Sequence, residues 1–255
     1  MSELLQDIGG NAIIYNYPNG DYDIVCAASK WYAPEGWEEN KPDRACAPAP
    51  REKGKRSEGE DMLRSMRRAR ANLRRLALAN AFGYFVTLTL DPAKIDRYDG
   101  AAVTKALTHW CDNMVRRHGL KYILVPERHK DGAFHFHGFF AAPAGGLNLV
   151  DSGKRWDGRP VYNLPQWTLG FSTAQQLYGT YSCAVAYCCK YIGKQEGQRP
   201  LGRWYYSGGG LSKPTKEYST MDYRALAADY ADEAVELNIP GTQLLVVHHR
   251  ENNKI

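Results

Sequence analysis

Residues 122–140 read YILVPERHKDGAFHFHGFF. Two apolar runs flank a charged turn that closes on Gly132, the pattern of a β-hairpin. Side chains alternate along a strand, so His135 and His137 project from one face while Phe134 and Phe136 project from the other. The phenylalanines are expected in a core and the histidines in a site. A three-residue loop of Lys130, Asp131 and Gly132, with Gly132 in the left-handed conformation of a bulged turn, sets Glu127 directly opposite His135. In that register Pro126 falls at a pair that asks no donor of it, so the proline fits the strand. Two imidazoles and one carboxylate leave coordination positions open, which suits a catalytic metal better than a structural one. His-x-His by itself is weak evidence, and an exposed strand face that happens to carry two histidines is the ordinary alternative.

The 255 residues suffice for one main domain with appendages. No apolar run approaches the roughly 18 residues of a membrane span, and the first twenty residues lack a basic-then-apolar signal pattern. A soluble, intracellular protein with no membrane partner is expected. Cys26, Cys46, Cys111, Cys183, Cys188 and Cys189 include no C-x-x-C pair and read as free thiols. The net charge is +5, but its distribution says more: six arginines and no acid stand between Arg64 and Arg75. Such a local field points to an anion, most commonly nucleic acid.

Along the chain, residues 12–27 pattern as a small hairpin turning near Asn19 and Gly20, and residues 33–60 as a linker rich in Pro, Gly, Glu and Lys. Asp61 is placed to cap a helix in which Met62, Met66, Ala69, Leu73 and Leu76 recur at spacings of four and three. Its arginines should face outward, with Arg67, Arg68, Arg74 and Arg75 as candidates for bidentate phosphate contact; a merely solvated basic face is the alternative. YFVTLTLDP (84–92) is a strand stopped by Asp-Pro, with Phe85, Thr87 and Thr89 on one face and Val86, Leu88 and Leu90 on the other. Residues 101–117 form an amphipathic helix. Residues 141–177 read as loop-rich, with short strands such as GFST (170–173).

AVAYCCKYIGK (184–194) is expected to be helical, placing Tyr187 above Tyr191 and Lys190 above Lys194. Two tyrosines at this spacing are ordinarily packing groups, but an ammonium near a phenol favours phenolate and can neutralise a phosphate oxygen. GRWYYSGGGL (202–211) offers Arg203 and Trp204 for stacking a single-stranded base, a sharply turning strand being the alternative. The tail carries a helix-like segment, 221–237, and the apolar run LLVV (244–247). No phosphate-binding G-x-x-x-x-G-K-[ST] occurs, since GGGLSKP (208–214) lacks the spacing, so no ATP-driven motor is expected.

FVTLTLDP, then HFH within a hairpin, then YCCKYIGK, in this order, resemble the HUH endonucleases that initiate rolling-circle replication of phages and plasmids. The similarity runs from about Met62 to Leu211 and takes in SMRRARANLRRLALAN, VDSGKRWDGRPVYNLPQWTLGFSTA and GRWYYSGGGL. Within that family the chain looks like the two-tyrosine initiators of filamentous and small icosahedral phages and their plasmid or prophage relatives. The resemblance implies an α+β, ferredoxin-like fold, a central antiparallel sheet flanked by helices. It implies Mg²⁺ or Mn²⁺ on His135, His137 and Glu127, nucleophilic Tyr187 and Tyr191 assisted by Lys190 and Lys194, and a DNA-binding sheet carrying Thr87 and Thr89. The activity implied is nicking of single-stranded origin DNA in a bacterial cytoplasm, with a host helicase and polymerase as partners.

These readings divide the chain into residues 1–60, a hairpin and linker; 61–212, a nicking and joining domain; and 213–255, a tail. Two other activities stay open at this point: a DNA-binding regulator that does not cleave, and a metal-dependent phosphodiesterase that uses water.

Overall fold

The computed structural model describes residues 10–28, 58–177, 181–192, 194, 199–239 and 242–250; most of the expected linker, with Cys46, lies outside them. In chain order the elements begin with β1 (Ala12–Asn16), β2 (Tyr22–Ala27), α1 (Glu58–Leu78), β3 (Tyr84–Leu90) and α2 (Gly100–His118). Then follow β4 (Lys121–Arg128), β5 (Phe134–Ala141), β6 (Val150–Trp156), β7 (Arg159–Asn163), β8 (Gly170–Gln176) and α3 (Tyr181–Tyr191). The last are β9 (Tyr206–Gly208), β10 (Thr215–Ser219), α4 (Tyr223–Asp229), β11 (Ala234–Ile239) and β12 (Thr242–His249).

The chain divides into two compact units, residues 56–213 and a second made of 1–55 together with 214–255. In the second unit the expected hairpin β1–β2 stands at the middle of a sheet ordered β10-β1-β2-β12-β11. The two terminal segments, separate in the sequence reading, thus share one sheet. Ala12, Ile24, Cys26, Leu245 and Val247 pack with Leu226 of α4. The helix-like segment 221–237 is corrected: α4 ends at Asp229, and residues from Ala234 pair with β12. Its alternating Val235 and Leu237 stay half in solvent, a strand pattern that a helical count absorbed.

The larger unit is an α+β fold built on a seven-stranded antiparallel sheet ordered β6-β7-β8-β3-β5-β4-β9. Alternation decides its two faces. Val86, Leu88 and Leu90 of β3 and Phe134 and Phe136 of β5 pack with Val103, Leu107, Trp110 and Met114 of α2 in one core. Phe85 and Phe139 point the other way, toward α3, where Phe139 meets Tyr181 and Phe85 meets Tyr187 at ring-centroid distances of 6.0 and 5.8 Å. Helix α2 is bounded as its ends dictate: Asp99 accepts from the N–H groups of Ala101 and Ala102, and Gly119 closes it at φ 63°. Helix α1 starts three residues before the expected Asp61 cap, which puts Glu60 and Asp61 in its first turn, where acids complement the helix dipole.

The hairpin β4–β5 has the expected register, with Glu127 opposite His135 and Pro126 opposite Phe136. His129 N–H bonds to Ala133 O, Gly132 N–H to His129 O, and Gly132 takes φ 89°, a three-residue bulged turn. Gly138 of β5 lies where the neighbouring strand comes closest, and a Cβ there would be driven into the Ile123 carbonyl. Gly138→Ala should therefore cost about 3 kcal/mol of stability. A lower denaturation midpoint with unchanged slope is the expected readout, and an unchanged midpoint would refute the close approach.

Candidate active site

Strands β3, β5 and β4 are neighbours, and their register brings three rows of side chains to one face. Thr87 stands opposite His137, Thr89 opposite His135, and His135 opposite Glu127. The three acid and imidazole groups converge. His135 Nε2 and His137 Nε2 lie 3.0 and 3.1 Å from Glu127 Oε2 and 2.8 Å from each other.

These separations test whether the residues fit a metal. Neighbouring ligands of an octahedral ion at 2.0–2.1 Å stand about 2.9 Å apart, while tetrahedral ligands at that distance spread to about 3.3 Å. The observed edges match one face of an octahedron. Glu127, His135 and His137 form the metal-capable cluster found among the described residues. His137 Nδ1 lies 3.0 Å from Thr87 Oγ1, and when that nitrogen donates, its Nε2 lone pair faces the other ligands. His135 Nδ1 is buried with no hydrogen-bond partner among the described residues, and its ring stacks on His129 at 3.7 Å.

Burial alone would raise the Glu127 carboxyl, but hydrogen bonds from His135, His137 and Lys194 hold it well below the usual carboxylate range. Burial lowers the His137 pKa and favours the neutral ring a metal requires. Lys194 Nζ sits 2.6 Å from Glu127 Oε1, the carboxylate oxygen turned away from the histidines. Lys194 is not helical as expected, because α3 gives way at Ile192 to a turn in which Lys194 N–H reaches Tyr191 O. Lys190 is exposed in the last turn of α3 and makes no ion pair or hydrogen bond among the described residues.

The two tyrosines do stack one turn apart. Tyr191 donates to the Tyr187 hydroxyl at 2.6 Å, and its ring lies on His137 at 4.1 Å and 17°. They are unequal: Tyr191 is 9 % exposed and Tyr187 50 %. Burial, then the bond to Tyr187, raises the Tyr191 phenol, so it keeps its proton and serves as a donor. Both open onto a cleft of about 570 Å³ bounded by Thr87, His137, Thr173 and the turn between β6 and β7.

The arginine helix has a mixed role. Arg67 and Arg68 are exposed, but Arg74 and Arg75 are half-buried. Arg70 donates from Nε and Nη2 to Ile192 O at 2.9 and 2.6 Å, tying α1 to the end of the tyrosine helix. Arg70 and Arg74 both lie beside Cys189 and act to lower its thiol, although burial dominates and pushes it up to about 11. The expectation that all the arginines face outward is corrected to this division: helix packing claims the row from Arg70 to Arg74, one turn apart.

Trp204, expected to stack bases, is 8 % exposed, donates to Ser65 Oγ and lies under the Arg199 guanidinium. Arg203 remains exposed, 5.7 Å from the Tyr206 ring. The sequence reading took residues 150–163 as loop, whereas they form the β6–β7 hairpin with Trp156 at its tip. The missed signal was Asp157-Gly158, a dipeptide typical of two-residue hairpin turns.

All six groups at this centre, from Glu127 to Lys194, fall within one segment of the chain. Residues 83–196 match the family model of the replication-associated protein ORF2. The match to this replication-associated family supports a role in replication initiation and, with it, DNA binding. No curated protein and no solved structure matches the chain. No helix among the described residues is long and apolar enough to cross a membrane.

Proposed function

We propose that residues 56–213 form a rolling-circle replication initiator of the HUH two-tyrosine type, which nicks single-stranded origin DNA and later rejoins it. The observation that carries this reading is the hydrogen-bonded pair Tyr187–Tyr191 lying directly on His137 of the convergent Glu127–His135–His137 set. Water alone would not require a phenol there.

Glu127, His135 and His137 would hold Mg²⁺ or Mn²⁺, whose chemistry when bound is polarisation of the scissile phosphate. Tyr187, the exposed phenol, attacks phosphorus. The bond from its oxygen to phosphorus forms, the bond to the 3′ oxygen breaks, and the phenol's proton ends on that oxygen. A 5′-phosphotyrosine and a free 3′-hydroxyl result. The Tyr191 hydroxyl, holding its proton, donates to the Tyr187 oxygen as negative charge develops there. Lys194 keeps Glu127 charged and oriented. Arg67, Arg68 and Arg203 supply phosphate contacts from exposed positions, and Thr87 and Thr89 line the sheet face under the strand.

The covalent link retains the phosphodiester energy, so attack by a new 3′-hydroxyl rejoins DNA without ATP. The 3′-hydroxyl primes a host polymerase in the bacterial cytoplasm, behind a host helicase. An origin oligonucleotide incubated with the protein and Mg²⁺ or Mn²⁺ should give a protein-linked band on a denaturing gel. Free fragments alone would replace this reading with hydrolysis by water, and no cleavage would leave a DNA-binding regulator.

A further inference from the structure

We infer that Trp156, at the tip of the β6–β7 hairpin, is a stacking platform for a base of the single strand beside the scissile phosphate; this rests on the nicking function proposed above. Trp156 is 69 % exposed, unusual for the side chain with the most apolar surface to bury. Its position is built rather than frayed. Asp157 and Gly158 take φ 49° and 72°, the paired left-handed conformations of a tight hairpin turn, and Trp156 pairs with Arg159 across it. A register shift between Asp151 and Arg155, with Gly153 at φ 75°, adds twist to the ribbon. Six of the seven residues of β6 are exposed, so the ribbon extends past the packed part of the sheet.

Continuity with the site says what the ring faces. Trp156 and Arg159 border the same cleft as His137, Tyr187 and Tyr191. A polymer whose phosphate lies at His137 must leave the cleft along one of its walls, and this wall offers an indole beside a guanidinium. That is the pairing which holds single-stranded nucleic acid without reading its sequence: a ring for the base, a cation for the backbone. Lys154 adds charge to the same ribbon, while Arg155 is engaged with Asp151 at 3.0 Å.

The test compares wild-type protein with Trp156→Ala and Trp156→Phe, measuring binding of a fluorescein-labelled origin oligonucleotide by anisotropy and nicking at saturating DNA. Loss of one stacked base should weaken binding by Trp156→Ala about tenfold. Trp156→Phe should stay within about threefold of wild type, because a benzene ring still stacks, a rescue that a structural role at so exposed a site would not produce. Nicking by Trp156→Ala at saturating DNA should hold near the wild-type rate, since the ring touches no reacting atom. If the wild type nicks and Trp156→Ala binds equally well, the platform is wrong and the nicking function stands. If the wild type neither nicks nor forms an adduct, the nicking function itself fails and the platform with it.

Discussion

Alanine at His135 or His137 should slow nicking by about a thousandfold or more, roughly 4 kcal/mol of transition-state stabilisation. Each imidazole nitrogen stands about 3 Å from Glu127 Oε2, so losing either opens one edge of the ligand face. His135 is 4 % exposed, and its alanine variant also leaves a cavity. His135→Asn keeps most of the volume and separates the two effects. A thermal scan with and without Mn²⁺ provides the control: the ion should raise the melting temperature of the wild type and leave that of either variant unmoved. Near-wild-type nicking by His137→Ala, in buffer freed of metal, would dispose of the metal centre.

The DNA adduct should form on Tyr187, and Tyr187→Phe should abolish the initiating nick. The sequence alone made the two phenols near equivalents, each able to nick in the absence of the other. Their surroundings separate them. Tyr187 is half exposed in the cleft and accepts from Tyr191, whereas Tyr191 is buried against His137 with its proton retained. Tyr191→Phe removes one donor to the developing phenolate and should slow the first nick roughly a hundredfold, as loss of a single oxyanion donor does. Transfer of the strand to Tyr191 then needs that phenol to turn toward the phosphate, so repeated rounds should require both. Mass spectrometry of the adduct peptide decides the matter, because an adduct on Tyr191 alone in the wild type would reverse the assignment.

What was legible in the sequence was whatever alternation or turn chemistry made explicit. HFH beside Lys-Asp-Gly determined the register that brings Glu127 to His135, and YFVTLTL declared both its faces, because a strand buried on one side must alternate. The β6–β7 ribbon was not legible: SGKRW and RPVYN are exposed on nearly every side chain, so no apolar period marks them. The choice between Trp204 and Trp156 as the open ring lay beyond local sequence too. It depends on Ser65, 139 positions earlier, receiving the Trp204 N–H. Likewise Arg70 differs from Arg67 only in facing α3, which no count of charges along α1 reveals.

The sheet of the second unit has a consequence for synthesis. The nicking unit is complete once residue 213 has left the ribosome. Strands β1 and β2 emerge long before, yet the outer edge of β1 is closed by β10 and that of β2 by β12, which ends at His249. For nearly the whole of translation the first hairpin is a two-stranded ribbon with both edges open, a form marginally stable in water and prone to pair with other chains. The first segment made is thus among the last to fold, and the nascent chain can fold its catalytic unit before the hairpin that precedes it.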